Sequence, residues 1–325
     1  MSRTPRVSFV VPCYNYGRYL PECLASIHSQ DEQDFEIIAI DDGSTDNTAL
    51  VLASFADPRM LVVTHSANRG HIATINEGIG LTRGHFVARI DPDDRYRSHF
   101  LSTTLAAFDT FPEVGLVYGD AALIDAGGRV TAERTDRVHR RRHFKGNEFV
   151  RLLSENCICA PTAIARGELW RQALPAPDGL AFNDWYFNVM IARRCEFHYL
   201  DRVLADYRVH ADNHHARVIR DKSEESSIFF ILDRVFSETE ASQSLEDAKG
   251  RARRRIYEQH YLRLADKYFG MAMNSEARRC YWAAARHRPR CLLKPGVQRR
   301  LAATIVGREC YELGKTFIRG ALTRS

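Results

Sequence analysis

The chain has 325 residues, 45% of them apolar, which allows one large domain or a domain of about 200 residues with a smaller companion. No stretch approaches the roughly 18 to 20 apolar residues that cross a bilayer, and the apolar start is too short for a signal segment, so a cytoplasmic location is expected. The net charge of +5 is unevenly divided: residues 1–215 carry 23 Lys and Arg against 28 Asp and Glu, and residues 216–325 carry 23 against 13. An acidic front and a basic tail point to two modules, the tail suited to an anionic surface unless it is simply a solvated helical face. Cys157 and Cys159 are the only close pair of cysteines and lack a partner pair at zinc spacing, so the cysteines read as reduced core residues.

In chain order the elements alternate. Val7–Val11 reads as a strand and residues 18–28 as a helix. Phe35–Ile40 is a strand, 46–55 a helix and Met60–Val63 a strand. Residues 71–81 form a helix and His85–Ile90 a strand. Short strands separated by helices imply parallel pairing through right-handed crossovers, an α/β sheet with helices on its faces. Such sheets bind ligands beyond the carboxyl ends of their strands. Three polar clusters lie at those ends: Pro12-Cys-Tyr-Asn15, Asp41-Asp-Gly-Ser-Thr-Asp46 and Asp91-Pro-Asp-Asp94. Their repetition at successive strand ends is more than turn chemistry requires.

Beyond residue 114 the pattern predicts two shorter strands, 114–118 and 122–124, forming a mixed edge, then a basic surface loop at 137–143. Helices are predicted near 147–153 and 182–193, and strands near 196–200 and 203–210. After residue 215 only helical signals remain. Tyr261, Leu264, Ala265, Tyr268, Ala277, Tyr281, Ala284 and Pro289 follow the spacing of one tetratricopeptide hairpin. One such hairpin cannot bury its own face, so it packs on the first module or on a partner, which leaves oligomerisation through the tail open. Val306, Cys310, Leu313 and Phe317 share one helical face opposite Arg308, Lys315 and Arg319, a basic amphipathic helix suited to an anionic membrane surface.

No P-loop is present, and Gly78-Ile-Gly80 ends a helix instead of following a strand, so it is no dinucleotide fingerprint; Gly84 reads as a helix C-cap. Without either loop a phosphorylated ligand needs a cation, and the Asp91-Pro-Asp93 spacing offers carboxylates suited to Mg2+ or Mn2+. Taken together, Val10-Val-Pro-Cys-Tyr-Asn15, Ile40-Asp-Asp-Gly-Ser-Thr-Asp-Asn-Thr48, Asn68-Arg-Gly70 with Ala73-Thr-Ile-Asn-Glu-Gly78, Ile90-Asp-Pro-Asp-Asp94, Asn183-Asp-Trp185 and Tyr207-Arg-Val-His210 occur in order. This series resembles the family 2 inverting glycosyltransferases of GT-A fold, over about residues 5–215.

The resemblance implies a GT-A domain over residues 1–215 and leaves 216–325 as a helical region outside it. It implies a nucleotide-diphosphate sugar donor, UDP- or dTDP-linked, with Pro12 and Tyr14 lining a base pocket, Asp42 bonding the base, and Asn76 either shaping the donor loop or satisfying backbone groups. Asp91, Asp93 and His210 would hold a Mn2+ or Mg2+ ion, Asp93 making the direct bond, with Asp91 also reaching the donor. Asp94 would support the site and Arg208 would meet the diphosphate. Asp184 would be the general base, although its neighbour is Asn183 where relatives carry an acid. The processive Gln-x-x-Arg-Trp motif is absent, so one sugar per encounter is expected, passed to a glycan or lipid-linked acceptor at the inner membrane face, with no nucleic acid involved. The competing reading is a catalytically silent nucleotide-sugar-binding scaffold that works through its helical tail.

Overall fold

β1 (Val7–Cys13) and β2 (Phe35–Asp41) are buried at every position, which is why they read as unbroken apolar runs and not as alternating ones. A computed structural model describes residues 3–136, 138–139, 141–210 and 221–306. After β1 come α1 (Leu20–His28), β2, α2 (Thr48–Ser54), β3 (Met60–Thr64), α3 (His71–Leu81) and β4 (Phe86–Arg89), close to the predicted bounds. β5 (Arg95–Tyr96), α4 (Phe100–Thr110), β6 (Val114–Ile124), β7 (Val130–Ala132), β8 (Phe144–Gly146) and α5 (Phe149–Ser154) follow. The first unit ends with β9 (Ile164–Arg166), α6 (Gly167–Gln172), α7 (Asn183–Ala192) and β10 (Glu196–Arg208). The strands form one sheet in the order β3-β2-β1-β4-β9-β6-β10-β5, with β7 beside β6 and β8 beside β10. β3, β2, β1 and β4 pair in parallel. β9 runs antiparallel to both β4 and β6.

The two short strands predicted at 114–118 and 122–124 are one continuous strand, and it lies inside the sheet, parallel to β10. Gly119 and Asp120 look like a break in the sequence, but both are buried for a reason. A Cβ on Gly119 would sit 2.7 Å from the Arg202 carbonyl oxygen. The Asp120 carboxylate accepts bonds from the backbone N–H groups of Ala121, Thr135 and Asp136 and from Arg134 Nε. The two strands predicted at 196–210 are likewise one, with a register irregularity between Tyr199 and Val203. The basic loop is not wholly a surface one: Val138 is buried, and His139 stacks on Phe144 at 4.3 Å and meets Glu148 Oε1 at 2.6 Å. Gly84 does not cap α3, which Thr82 ends; a Cβ on Gly84 would lie 2.6 Å from the Ser8 nitrogen.

Asp57 fastens the β3 entrance to α1, meeting His28 Nε2 at 2.9 Å and Arg59 Nη2 at 2.7 Å. Hydrogen bonds from the Arg59 side chain, outweighing burial, hold its carboxyl down at about 2 from an ordinary 3.8. A depressed acid contributes stability above its unfolded value and loses it as pH falls through the folded one. Asp57→Asn is therefore expected to remove about 2 kcal/mol at neutral pH, with the difference from wild type vanishing between about pH 4 and pH 2. Urea titrations at a series of pH values check this, and a gap that persists at pH 2 would contradict it.

The second compact unit begins at His215 and contains α8 (Ser223–Ser237), α9 (Gln243–Gly270), α10 (Asn274–His287) and α11 (Pro295–Val306). Leu264, Ala265 and Tyr268 of α9 and Ala277, Tyr281 and Ala284 of α10 are buried, and Tyr281 Oη donates to Asp266 at 2.6 Å. The amphipathic terminal helix expected around Cys310, Leu313 and Phe317 lies outside the described residues. Of the described helices, none is long and apolar enough to cross a membrane.

Candidate active site

The loops after β1, β2 and β4 meet at one end of the sheet, and hydrogen bonds tie the first two together. Asn15 takes a positive φ of 58°, which brings its Oδ1 within 2.8 Å of the Thr45 N–H while its own N–H donates to Ser44 Oγ at 2.9 Å. The Gly17 N–H donates to Asp46 Oδ2 at 3.0 Å. Pro12 is buried at the end of β1, and Tyr14 projects beyond it, 43% exposed.

Asp42 is used differently from the sequence expectation. It is 2% exposed; Oδ1 accepts from His65 Nδ1 at 2.6 Å and from the Arg69 N–H at 2.8 Å, and Oδ2 accepts from the Gly70 N–H at 2.9 Å. Burial works to raise its carboxyl, but the Arg69, His65, Gly70 and Thr74 hydrogen bonds outweigh it and hold the group below the usual range. It fastens the loop that leads into α3, a favourable place for a carboxylate near a helix N-terminus. His65, which the sequence did not single out, spans from Asp42 to Glu77 Oε2 at 2.9 Å.

Asn76 is also spent inside the protein. Its Nδ2 donates to the Ala176 carbonyl and its Oδ1 accepts from the Ala176 N–H, both at 2.9 Å. The side chain is thus a staple between α3 and a segment 100 residues away, the backbone-satisfying role that was one of its two expected ones.

The β4 loop carries the acids. Asp93 Oδ2 lies 3.0 Å from His210 Nε2, joining residues 117 apart in sequence. Burial and then the neighbouring Asp91 charge push the Asp93 carboxyl above its ordinary value, against the pull of His210. Asp94 is 1% exposed; Oδ1 accepts from the Arg208 N–H at 2.8 Å, and Oδ2 has no hydrogen-bond partner among the described residues. Burial pushes it well above the carboxylate range, reinforced by Asp93 and Asp91. Asp91 is drawn aside: Arg89 Nη1 donates to its Oδ1 at 2.9 Å, and His71 Nε2 lies 3.9 Å away. Arg89 stands two residues before Asp91, and the period of two along a strand was a signal that the two share a side. The three expected ligands Asp91, Asp93 and His210 consequently do not converge, and among the described residues no three His, Cys, Asp or Glu side chains form a metal cage.

Arg208 is not available to a diphosphate. It is fully buried; Nε donates to the Asp93 carbonyl at 2.7 Å, Nη1 to the Asp125 carbonyl at 3.2 Å and Nη2 to Glu22 Oε2 at 2.8 Å. Its guanidinium also lies over the Tyr19 ring, 4.8 Å from the centroid. The guanidinium fork holds the acid loop from behind.

Asp184 sits in the first turn of α7, partly exposed. Asn156 Nδ2 donates to its Oδ2 at 3.0 Å, and Oδ1 takes no bond from a described residue. Trp185 beside it is buried and donates to the Leu152 carbonyl at 2.6 Å, anchoring the helix start to α5.

Comparison with known proteins bears on the family and the fold. The sequence model of glycosyl transferase family 2 matches residues 8–170, half of the chain. An uncharacterized glycosyltransferase of Nostoc sp. is 26% identical over 228 residues, 68% of this chain and 70% of that protein. The O-antigen biosynthesis protein RfbC of Myxococcus xanthus is 35% identical over 136 residues, 41% of this chain and 11% of that protein, so the chain spans only a small part of that relative. Among solved structures, Staphylococcus aureus TarS 1–349 in complex with UDP-GlcNAc superposes with a TM-score of 0.70 at 18% identity, over 97% of this chain and 92% of that one. The mannosyltransferase PcManGT of Pyrobaculum calidifontis, in complex with GDP-Man and Mn2+, gives 0.59 at 19% identity, over 94% and 87%. These likenesses establish the fold as GT-A with added C-terminal helices, and the match over residues 8–170 establishes that the chain belongs to glycosyl transferase family 2.

Proposed function

We propose that the protein is a metal-dependent inverting glycosyltransferase. It moves one sugar per encounter from a UDP- or dTDP-linked donor to a hydroxyl of a glycan or lipid-linked acceptor in surface polysaccharide synthesis. The observation that carries this reading is the contact of Asp93 with His210, which brings two motifs 117 residues apart to the ends of the parallel strands. The relatives support the pathway class, since their names include O-antigen and succinoglycan biosynthesis proteins. The neighbours captured with UDP-GlcNAc and with GDP-Man and Mn2+ support the donor class and the ion.

Asp93 and His210 fit a Mg2+ or Mn2+ ion, because such ions take one or two protein ligands and complete their shell with phosphate oxygens and water. The buried Asp94 Oδ2, without a hydrogen-bond partner among the described residues, supports a place for positive charge beside this pair. Bound there, the ion supplies neutralisation of the departing diphosphate. Pro12 and Tyr14 form the wall of the base pocket, and Asp42 keeps the 65–70 loop in place around it. Asp184 Oδ1 accepts the proton of the acceptor hydroxyl as that oxygen bonds to the anomeric carbon on the face opposite the diphosphate. The bond from the anomeric carbon to the diphosphate oxygen breaks with its electron pair staying on the diphosphate, so the configuration inverts. The basic helical unit meets the anionic inner face of a membrane.

A thermal-shift panel of nucleotides tests the donor reading. UDP or dTDP with Mn2+ at about 100 times its Kd adds about 2.7 kcal/mol, a rise of roughly 5 °C or more. The same nucleotide without Mn2+ gives a much smaller rise, and Asp93→Asn loses the Mn2+ increment. No stabilisation by any nucleoside diphosphate would overturn the proposal.

A further inference from the structure

The helical unit carries a long stretch without acids. From Ala277 to Val306 there are eight Lys and Arg and no Asp or Glu. Arg279, Arg288, Lys294 and Arg300 reach acids of other segments, Glu225, Glu258 and Asp266. Arg278 and Arg286 pair with no acid among the described residues, and they flank Trp282 at one helical turn on either side. Residues four apart lie on one face of a helix, so α10 presents an Arg-Trp-Arg stripe that borders its buried Ala277, Cys280, Tyr281, Ala284 and Ala285 on one side. Trp282 is 50% exposed, and Leu293 in the turn that follows is 73% exposed.

We propose that this face of α10 is the surface by which the protein docks on an anionic lipid bilayer. The inference deepens the membrane reading above and rests on it. An indole at the boundary between water and hydrocarbon, set between guanidinium groups that reach headgroup phosphates, is the side-chain mixture that favours a bilayer interface. A nucleic acid would be met by several aromatic platforms along a groove, whereas here a single indole stands between two cations. From Ala277 to Val306 the chain itself sets no carboxylate against an anionic surface; the acids that meet Arg279, Arg288, Lys294 and Arg300 belong to α8 and α9.

The protein carries its own probe. Of its three tryptophans, Trp170 and Trp185 are buried at 4% and 1% exposure, which leaves Trp282 as the one that solvent reaches. Full-length protein is mixed with phosphatidylglycerol vesicles and, separately, with phosphatidylcholine vesicles. Emission is expected to shift to the blue and to become shielded from iodide with the first only, and the effect should fade as salt is raised. Each basic side chain facing an anionic bilayer contributes about fivefold in partitioning, so the double variant Arg278→Glu/Arg286→Glu should bind at least about 25-fold less. Its nucleotide-dependent thermal shift stays at the wild-type value, which shows that it is folded.

Co-sedimentation separates the two claims. If vesicles carry the protein down while Trp282 stays in water and the double variant binds equally well, this surface is wrong and the membrane reading survives through another segment. Failure of the chain to bind phosphatidylglycerol vesicles overturns both. A blue shift that grows with protein concentration in the absence of lipid would mark the face as a contact between copies and would also overturn the proposal.

Discussion

Asp184→Asn is expected to lower the rate of sugar transfer about 10²- to 10⁴-fold, the usual worth of a positioned general base, while leaving the affinity for donor and Mn2+ unchanged. Asn keeps the size of the side chain and its bond to Asn156, whose Nδ2 donates to Oδ2 at 3.0 Å in the native site, but an amide cannot take up the acceptor proton. The separation matters, because loss of rate together with loss of donor binding would describe a disturbed site and not a missing base. Initial rates with labelled donor, measured beside the thermal shift with nucleotide and Mn2+, distinguish the two. Equal rates for the variant and the wild type would remove Asp184 from the mechanism. Asn156→Ala should reproduce a smaller part of the same loss, because it frees the carboxylate that Asn156 orients.

Arg208→Ala should cost about 3 to 5 kcal/mol of stability in the sheet unit, the range found when one partner of a buried charged network is removed. The guanidinium serves the carbonyls of Asp93 and Asp125 and the carboxylate of Glu22; without it, among the described residues, the Asp125 carbonyl keeps only the Gly128 N–H at 3.0 Å and the Glu22 carboxylate only Arg95 Nη1 at 3.2 Å. Lys at this position does not rescue, since one ammonium cannot span the planar fork that these acceptors require. Urea unfolding followed through the buried Trp170 and Trp185 reports on this unit. A variant of native stability with weakened nucleotide binding would restore Arg208 to the diphosphate, as the sequence reading placed it.

The contrast between Arg208 and His210 shows where sequence reading stops. Both belong to one motif, two residues apart on the same strand end. One meets Asp93 through its side chain at the site, and the other turns inward beneath it. Motif spacing identifies the strand end but not which donors and acceptors the interior has already claimed. The same limit applies to Asn76, saturated by a single peptide from Ala176, and to Asp42, whose partners His65, Arg69 and Gly70 lie in another loop. The parallel strands themselves were legible because two-sided burial leaves a continuous apolar run. α4 was legible in principle, since Phe100, Leu101, Thr104, Leu105 and Phe108 are buried at helical spacing. β9, at three residues, is too short to register in any window.

The position of β10 affects how the chain is made. It is an interior strand, lying between β6 and β5, yet it ends 84 residues after β6 does, at Arg208 instead of Ile124. At synthesis rates of about 5 to 20 residues per second, β6 waits roughly 4 to 17 seconds on the ribosome for its parallel neighbour. During that interval an apolar strand edge that the finished protein conceals is open to other nascent chains. The acid loop is left just as incomplete, since Arg208 and His210 emerge at the end of the same strand. The chain therefore leaves this apolar edge and its acid loop unfinished together, and one late strand with the residues that follow it completes both.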